Sequence, residues 1–485
     1  MAKFYVTTPI YYINDKPHIG HAYATFAADT IARYHRQLGD NVIFSTGVDE
    51  NSQKTVQAAA AAGQDLKTYT KQMSDLWEAT WKKAGVSYDR FIRTTDADHI
   101  KAVTEFTKRV QAAGDIYEGD YEGWYCVGCE EFKREDELVD GLCPMHQKKP
   151  ERVKETNYFF KLSRYQQALL EHIKANPEFI QPESRRNEVV AFIERGLHDL
   201  SVSRSTREWG IPWPGDKKQV VYVWFDALLN YLTVAGFPGG GYENTWPADL
   251  QIVGKDIIKF HCIYWPAMLM SAGLSLPKTV FGHGFFTIDG QKISKSLGNA
   301  VDPVELAGNY GIDALRYYLL SEFGFGSDGE FSHQRFQTVY NADLANDLGN
   351  LVQRVQVMVG RYLDGAYGDL PPHSHDIMPY QEAMSSLKLD KALNEVWLLI
   401  RGLNQFLEEE KPWELAKHDK AHLSEVLHHA ITDLNQIAAL LMPFMPETAR
   451  KIAATFEGGT VHPEVGVLFP KADQPEERQL NIASS

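Results

Sequence analysis

The sequence predicts an α/β protein: a parallel sheet with crossover helices, split by an inserted module and followed by a C-terminal α-helical bundle. Three observations predict it. Between Lys3 and Thr46 a strand, a helix and a second strand follow one another, the unit of a parallel sheet with right-handed crossovers. Residues 116 to 155 then lose periodicity, mixing aromatic and charged residues with Gly around a Cys/His cluster. Beyond about Asp343 only helical spacing remains.

Taken in order, Lys3-Phe-Tyr-Val-Thr-Thr-Pro9 reads as a short buried strand of β-branched and aromatic residues, stopped by proline. A loop with Asn14, Asp15 and Pro17 follows. From Gly20 to Leu38 the residues Phe26, Ala27, Ile31 and Tyr34 recur at helical spacing, and Gly39 ends the helix. Asn41 to Thr46 is the next strand, and the Ala-rich stretch from Lys54 to Lys83 is helical. After the insert, Gln219 to Phe225 and Asp249 to Val253 read as strands that resume the sheet. Residues 344–363, 380–410 and 421–453 show helical periodicity, with loops at Gly365–His375 and Glu410–Lys420. The expected division is a Rossmann-like domain over 1–115 and 222–285, an insertion over 116–221, a connecting region over 286–345 and the helical domain over 346–485.

With 44% apolar and 23% charged residues the chain can bury sizeable cores, which excludes disordered and low-complexity readings. Its longest apolar runs, such as Ile437 to Met442, are far too short to span a bilayer, and the first ten residues are expected to be patterned sequence rather than a processed leader. No membrane association and a cytoplasmic location are the expectations. A net charge of −15 argues against a non-specific duplex-DNA coat, which needs many phosphate contacts, but leaves room for a nucleic acid met by a local patch.

Cys126-x2-Cys129 and Cys143-x2-His146 form two short-spaced pairs. Each turns its ligands toward one point, and together they close a tetrahedron of three thiolates and one imidazole, a structural zinc geometry without an open position. Cys262 stands alone in an apolar run and reads as a small buried hydrophobe.

Two further clusters suit a triphosphate. Pro17-His18-Ile19-Gly20-His21 lies where a loop meets a helix N-terminus, an end that attracts anions. Its imidazoles can donate to phosphate oxygens, while Gly20 lets a flat ring approach. Gly290-Gln-Lys292-Ile-Ser-Lys295-Ser296-Leu-Gly298 places two lysines in a glycine-bounded loop, where cations can follow charge on a transferring phosphoryl group. No Walker loop or dinucleotide glycine fingerprint competes with them. The expectation is that these distant stretches converge on one nucleotide.

These residues carry a family resemblance. His18-Ile-Gly-His21 matches the HIGH signature of class I aminoacyl-tRNA synthetases, and Lys292-Ile-Ser-Lys-Ser296 matches KMSKS with Ile293 for Met. Over nearly its whole length the chain resembles the methionyl-tRNA synthetase family, in its single-zinc bacterial type. Pro9-Ile-Tyr-Tyr12, Gly47-Val-Asp49-Glu50, Tyr222-Val-Trp224-Phe-Asp226-Ala227, Gly254-Lys-Asp256-Ile257-Ile-Lys-Phe-His261 and the knuckle support this. Leu228 departs from the proline of many relatives.

The resemblance implies an ATP- and Mg²⁺-dependent ligase that activates L-methionine and transfers it to tRNA(Met), elongator and initiator. His18, Gly20, His21 and Lys295 would bind ATP, with His18, His21, Lys292 and Lys295 catalytic. Asp49 would hold the substrate ammonium, and Arg204 would lie near the carboxylate or triphosphate. Ile10, Tyr12, Trp224, Ala227, Leu228, Tyr231, Ile257 and His261 would line a thioether pocket, as an unbranched polarizable side chain asks for aromatic faces and one or two polar tips.

In the helical region Asn350 and Arg354, four apart, share a helix face, and Trp413 beside Pro412 offers a stacking platform for a base. The resemblance makes these three anticodon readers, 286–345 the KMSKS and stem-contact region, and 346–485 the anticodon-binding domain. An end at Ser485 without an appended oligonucleotide-binding domain implies a monomer. Rival readings are another class I synthetase, disfavoured because the insert is too short for a large editing module, and a HIGH-type nucleotidyltransferase, which would lack the helical domain.

Overall fold

The structure, a computed structural model, describes residues 2–288, 290–293, 301–372, 375–463 and 466–472, with Gln291 and Lys292 described by backbone alone. It divides into two compact units, Met1–Phe285 and Phe286–Ser485.

In the first unit the first strand, β1 (Lys3–Tyr12), is followed by the helix α1 (Ile19–Gln37) and the strands β2 (Asn41–Asp49) and β3 (Arg90–Arg93). They belong to a six-stranded sheet in the order β3, β2, β1, Leu250–Gly254, Val280–His283, Ile180–Gln181, parallel throughout. Chain order reverses between β1 and Leu250–Gly254. Such a switch point opens a crevice at the carboxyl ends of the strands, because the crossovers on either side leave in opposite directions.

Proline does not stop β1. The strand continues to Tyr12, and its register against β2 shifts between Thr7 and Ile10, an irregularity that accommodates a residue without an N–H. β2 likewise outruns its predicted end, so that Tyr12 faces Asp49 across the ladder. Gly47 lets β2 approach β3: a Cβ there would stand 2.1 Å from the Ile92 carbonyl oxygen.

The reading of Gln219 to Phe225 as a main-sheet strand is corrected. Asp216–Val221 pairs antiparallel with Pro212–Trp213 and Ser203–Arg204 in a separate sheet, and Val223–Ala227 is a helix. Residues 220–225 are all buried, and an unbroken apolar run does not distinguish a buried strand from a buried helix. Val280–His283 and the two-residue Ile180–Gln181, the latter from within 116–221, take the outer places instead. The insert is an antiparallel sheet in which Ile116–Cys126 pairs with Glu151–Phe160, flanked by Glu131–Lys133 and Leu200–Ser201. The Lys54–Lys83 stretch is two helices, Gln53–Ala61 and Leu66–Lys83, parted at Gly63, whose φ is +64°.

The second unit is mainly helical. Arg316, fully buried on Ile312–Ser321, donates to the carbonyls of Phe444 at 2.6 Å and Pro443 at 3.1 Å. The Thr448 amide donates to Asp313 at 2.6 Å, fastening the helix Pro446–Thr455 beside it. Leu389–Glu410 and Lys420–Leu441 are the long helices, and Trp397 on the first stacks on Tyr317 at 4.2 Å. The expected Glu410–Lys420 loop contains a helix, Pro412–His418, because proline at a first helical position loses no hydrogen bond. Among the described residues no helix is long and apolar enough to cross a membrane.

Substituting Gly47→Ala is expected to destabilise the first unit by about 1–3 kcal/mol, since a strand carbonyl has no rotamer with which to yield. The midpoint of chemical denaturation measures it.

Candidate active site

His18 caps α1 in an extended conformation, and its Nδ1 accepts the Gly20 amide at 3.1 Å. The His18 amide in turn donates to Nδ1 of His21 at 3.2 Å. The two rings stack with centroids 3.8 Å apart. Because both Nδ1 atoms accept, each neutral ring carries its proton on Nε2, so capping itself selects the tautomer that donates. His21 is wedged edge-on against Tyr11 and Trp77, at 5.1 and 4.9 Å. A Cβ at Gly20 would sit 2.9 Å from the His18 ring, so glycine preserves the cap as well as access.

Asp49 ends β2 and is only 2% exposed. Its carboxylate accepts from the Asn51 amide at 2.9 Å and from the Thr94 hydroxyl at 3.5 Å. Burial, then the nearby charge of Asp226, pushes its pKa well above the usual carboxylate range. Asp226, fully buried, accepts from Asn51 Nδ2 at 2.6 Å and contacts His99 Nε2 at 2.7 Å, while the other His99 nitrogen meets the Thr233 hydroxyl at 3.0 Å. The sequence reading passed over this Asn51–Asp226–His99 network. Its available signal was Asn51 directly after Asp49 and Asp226 inside a segment already singled out.

Around Asp49 lies an aromatic wall. Tyr12 stands edge-on to Trp224, with the Lys54 ammonium 4.3 Å over its ring. Trp224 stacks on Phe260 at 3.9 Å. Ala227, Leu228 and Tyr231 are buried, and Ile10 and Ile257 are half-buried. His261 lies on a π-helical turn, Phe260–Tyr264, a geometry frequent at functional sites. Burial lowers its pKa to about 4, which leaves the ring neutral at pH 7. Nδ1 donates to the Ile257 carbonyl at 3.1 Å, and Nε2 therefore accepts from the Tyr231 hydroxyl at 2.7 Å. Leu228 and Tyr231 thus sit among core residues, Tyr231 as the partner of His261.

Cys126, Cys129, Cys143 and His146 come together with ligand atoms within 4.8 Å of one another. Cys129 Sγ lies 3.5 Å from that of Cys143 and 3.4 Å from His146 Nδ1, separations one tetrahedral ion can span. The cluster also backs the aromatic wall, because Trp224 Nε1 donates to the Cys129 carbonyl at 3.3 Å.

Arg204 is buried, and its guanidinium makes two 2.8 Å hydrogen bonds to Glu155. Although burial would raise it, this pairing holds the Glu155 carboxyl down to about 2. Arg204 lines a cleft of about 290 Å³ together with Asn51, Glu130, Arg207 and Trp209.

In the second unit Lys292 lies in the strand Gln291–Lys292, and Lys295 falls outside the described residues. Asn350 is exposed at the start of the helix Asn350–Tyr362. Arg354, one turn on, is tied to Glu408 and to Asn404 Oδ1 at 3.2 Å. Trp413 is half-buried in the first turn of Pro412–His418.

The chain matches the family described as tRNA synthetases class I (M) over residues 4–152 and 135–356, and the anticodon binding domain of methionyl tRNA ligase over 372–464. It is 47% identical over 466 residues to the methionine–tRNA ligase of Caldanaerobacter subterraneus subsp. tengcongensis, covering 93% of this chain and 73% of that one. The Thermotoga maritima methionine–tRNA ligase is 44% identical over 93% of this chain and 74% of its own. Among solved structures, Mycobacterium tuberculosis methionyl-tRNA synthetase in complex with methionyl-adenylate superposes with a TM-score of 0.89 at 42% identity, covering 98% of this chain and 99% of that one.

Tyr231→Phe leaves the buried Nε2 of His261 without its donor. The expected loss is about 1–3 kcal/mol of stability, read as a lowered melting temperature with unchanged secondary structure by circular dichroism.

Proposed function

This chain belongs to the class I tRNA synthetases of the methionyl type, and we propose that it performs their reaction with the residues named above. It is an ATP-dependent methionine–tRNA ligase. Methionine and ATP give methionyl-adenylate and pyrophosphate, and the methionyl group then passes to the 3′ end of tRNA(Met). The observation that supports the assignment of residues is the pairing of Tyr12 with Asp49 at the carboxyl ends of β1 and β2, on one side of the switch point, together with the neutral His261–Tyr231 pair.

Asp49 takes the substrate ammonium. A carboxyl group stripped of water and set near a second acid gains much from a cation, which relieves both penalties when it arrives. The thioether lies against Tyr12, Trp224, Ala227 and Ile257, with Ile10, Leu228, Tyr231 and His261 completing the pocket. Since the His261 nitrogens are already engaged, a charged side chain entering here would lose hydration without a compensating partner. His18 and His21 turn their Nε2 protons to the α-phosphoryl oxygens as the substrate carboxylate attacks, and Gly20 admits the nucleotide. Lys292 and Lys295 neutralise the β- and γ-phosphates, with Mg²⁺ entering on ATP. Catalysis of this kind is positioning plus charge stabilisation. Arg204 reaches the carboxylate or triphosphate only by exchanging Glu155 for the ligand.

Cys126, Cys129, Cys143 and His146 hold one zinc ion; the thiolate-rich donor set and its separations fit it, and its role is to pin the ends of the insert's strands. Trp413 stacks an anticodon base, with Asn350 and Arg354 beside it, Arg354 releasing Glu408 to do so. The working enzyme is a cytoplasmic monomer.

The deciding experiment is ATP–pyrophosphate exchange with each of the twenty amino acids. Methionine alone should support it, and faster exchange with another amino acid would overturn the reading. Protonated Asp49 cannot bind an ammonium, so the KM for methionine should rise as pH falls through a range above the ordinary carboxylate value, and Asp49→Asn should abolish that dependence. Trp413→Ala is expected to lower kcat/KM for tRNA charging by about 10–100-fold, the worth of one stacked base, and to spare exchange; equal loss of both would reject the anticodon role.

A further inference from the structure

In the second unit His375, His429 and Asp433 form a cluster for which the ligase reaction has no use. His429 and Asp433 stand four apart on Lys420–Leu441, so both side chains project from one face of that helix. His375 comes from the segment before Met378–Ser385 and closes over them. Its Nε2 lies 2.9 Å from Asp433 Oδ2, and His429 Nε2 lies 3.4 Å from the same oxygen. All three side chains offer ligand atoms within 4.8 Å of one another.

The details favour an ion over a simple ion pair. Asp433 has a side chain only 7% exposed, and among the described residues the two imidazoles are its polar contacts. A buried carboxylate without aligned donors calls for a cation. The Nε2 of His375 is enclosed and, despite its proximity to Asp433, is not aligned to form a hydrogen bond with any described residue. That is the geometry of a lone pair turned toward a point beside the carboxylate oxygen. Phe406 packs 4.6 Å from the His429 ring and limits its rotation.

We propose that His375, His429 and Asp433 bind a divalent transition-metal ion, fastening the residues just before Met378–Ser385 to the helix Lys420–Leu441. Two imidazoles and one carboxylate suit Zn²⁺, Ni²⁺ or Co²⁺, with water filling the remaining positions. The donor set differs from the three thiolates and one imidazole of the other cluster, and the two sites are spectroscopically separable.

Purified full-length protein retaining its knuckle metal is titrated with Co²⁺ and, separately, with Ni²⁺ by calorimetry. One further equivalent should bind, showing weak visible d–d bands and no sulfur-to-metal charge transfer, and Ni²⁺ should raise the melting temperature. His375→Gln and His429→Gln should each lower the affinity at least tenfold and remove that rise, while methionine-dependent pyrophosphate exchange stays at the wild-type level. Unchanged affinity in both variants, sulfur charge transfer from the added equivalent, or binding no tighter than about 1 mM, an adventitious ion only, would each overturn the site.

Discussion

The register of β1 against β2 is the constraint on which the catalytic unit depends. Side chains alternate along a strand, so a one-residue slip would turn Tyr12 and Asp49 to opposite faces and move every buried residue of the pair with them. The irregularity between Thr7 and Ile10 sets this register, and the absent side chain at Gly47 lets β3 pack against the far side of β2. Together they position Tyr12 opposite Asp49 at the carboxyl ends of the strands.

A second theme is the use of burial to prepare polar groups. Asp49 is buried beside the charge of Asp226, an arrangement that opposes its ionisation. Asn51 and His99 are the hydrogen-bonding partners that fix the Asp226 carboxylate in place. At the mouth of α1 backbone amides direct imidazole protons, and in the pocket a carbonyl and a phenol do the same for His261. In each of these imidazoles the backbone or a neighbour fixes which ring nitrogen carries the proton.

Much of this was legible in the sequence. Short-range spacing exposed the Cys/His cluster and the His-x-x-His helix start, since their geometry is local. The parallel sheet was legible from β1, α1 and β2, where period and turn residues agree. What escaped depended on long-range placement. Ile180–Gln181 is too short to register as a strand, and the buried run through Tyr222 looks the same whether extended or helical. The Asn51–Asp226 bond joins residues 175 positions apart, and no local pattern announces such a pair. Arg204 shows the complementary limit: a motif can nominate a charged residue, but only coordinates reveal that Glu155 already holds it.

The widened turn at Phe260–Tyr264 also bears on how this pocket can change over time. Such a turn is an ordinary helix carrying one surplus residue. Losing a single codon there would restore regular winding and swing the preceding side chains by about 100° about the axis, parting His261 from its phenol while leaving the helix whole. The shape of this wall is therefore exposed to length variation at one short segment, independently of which amino acids line it.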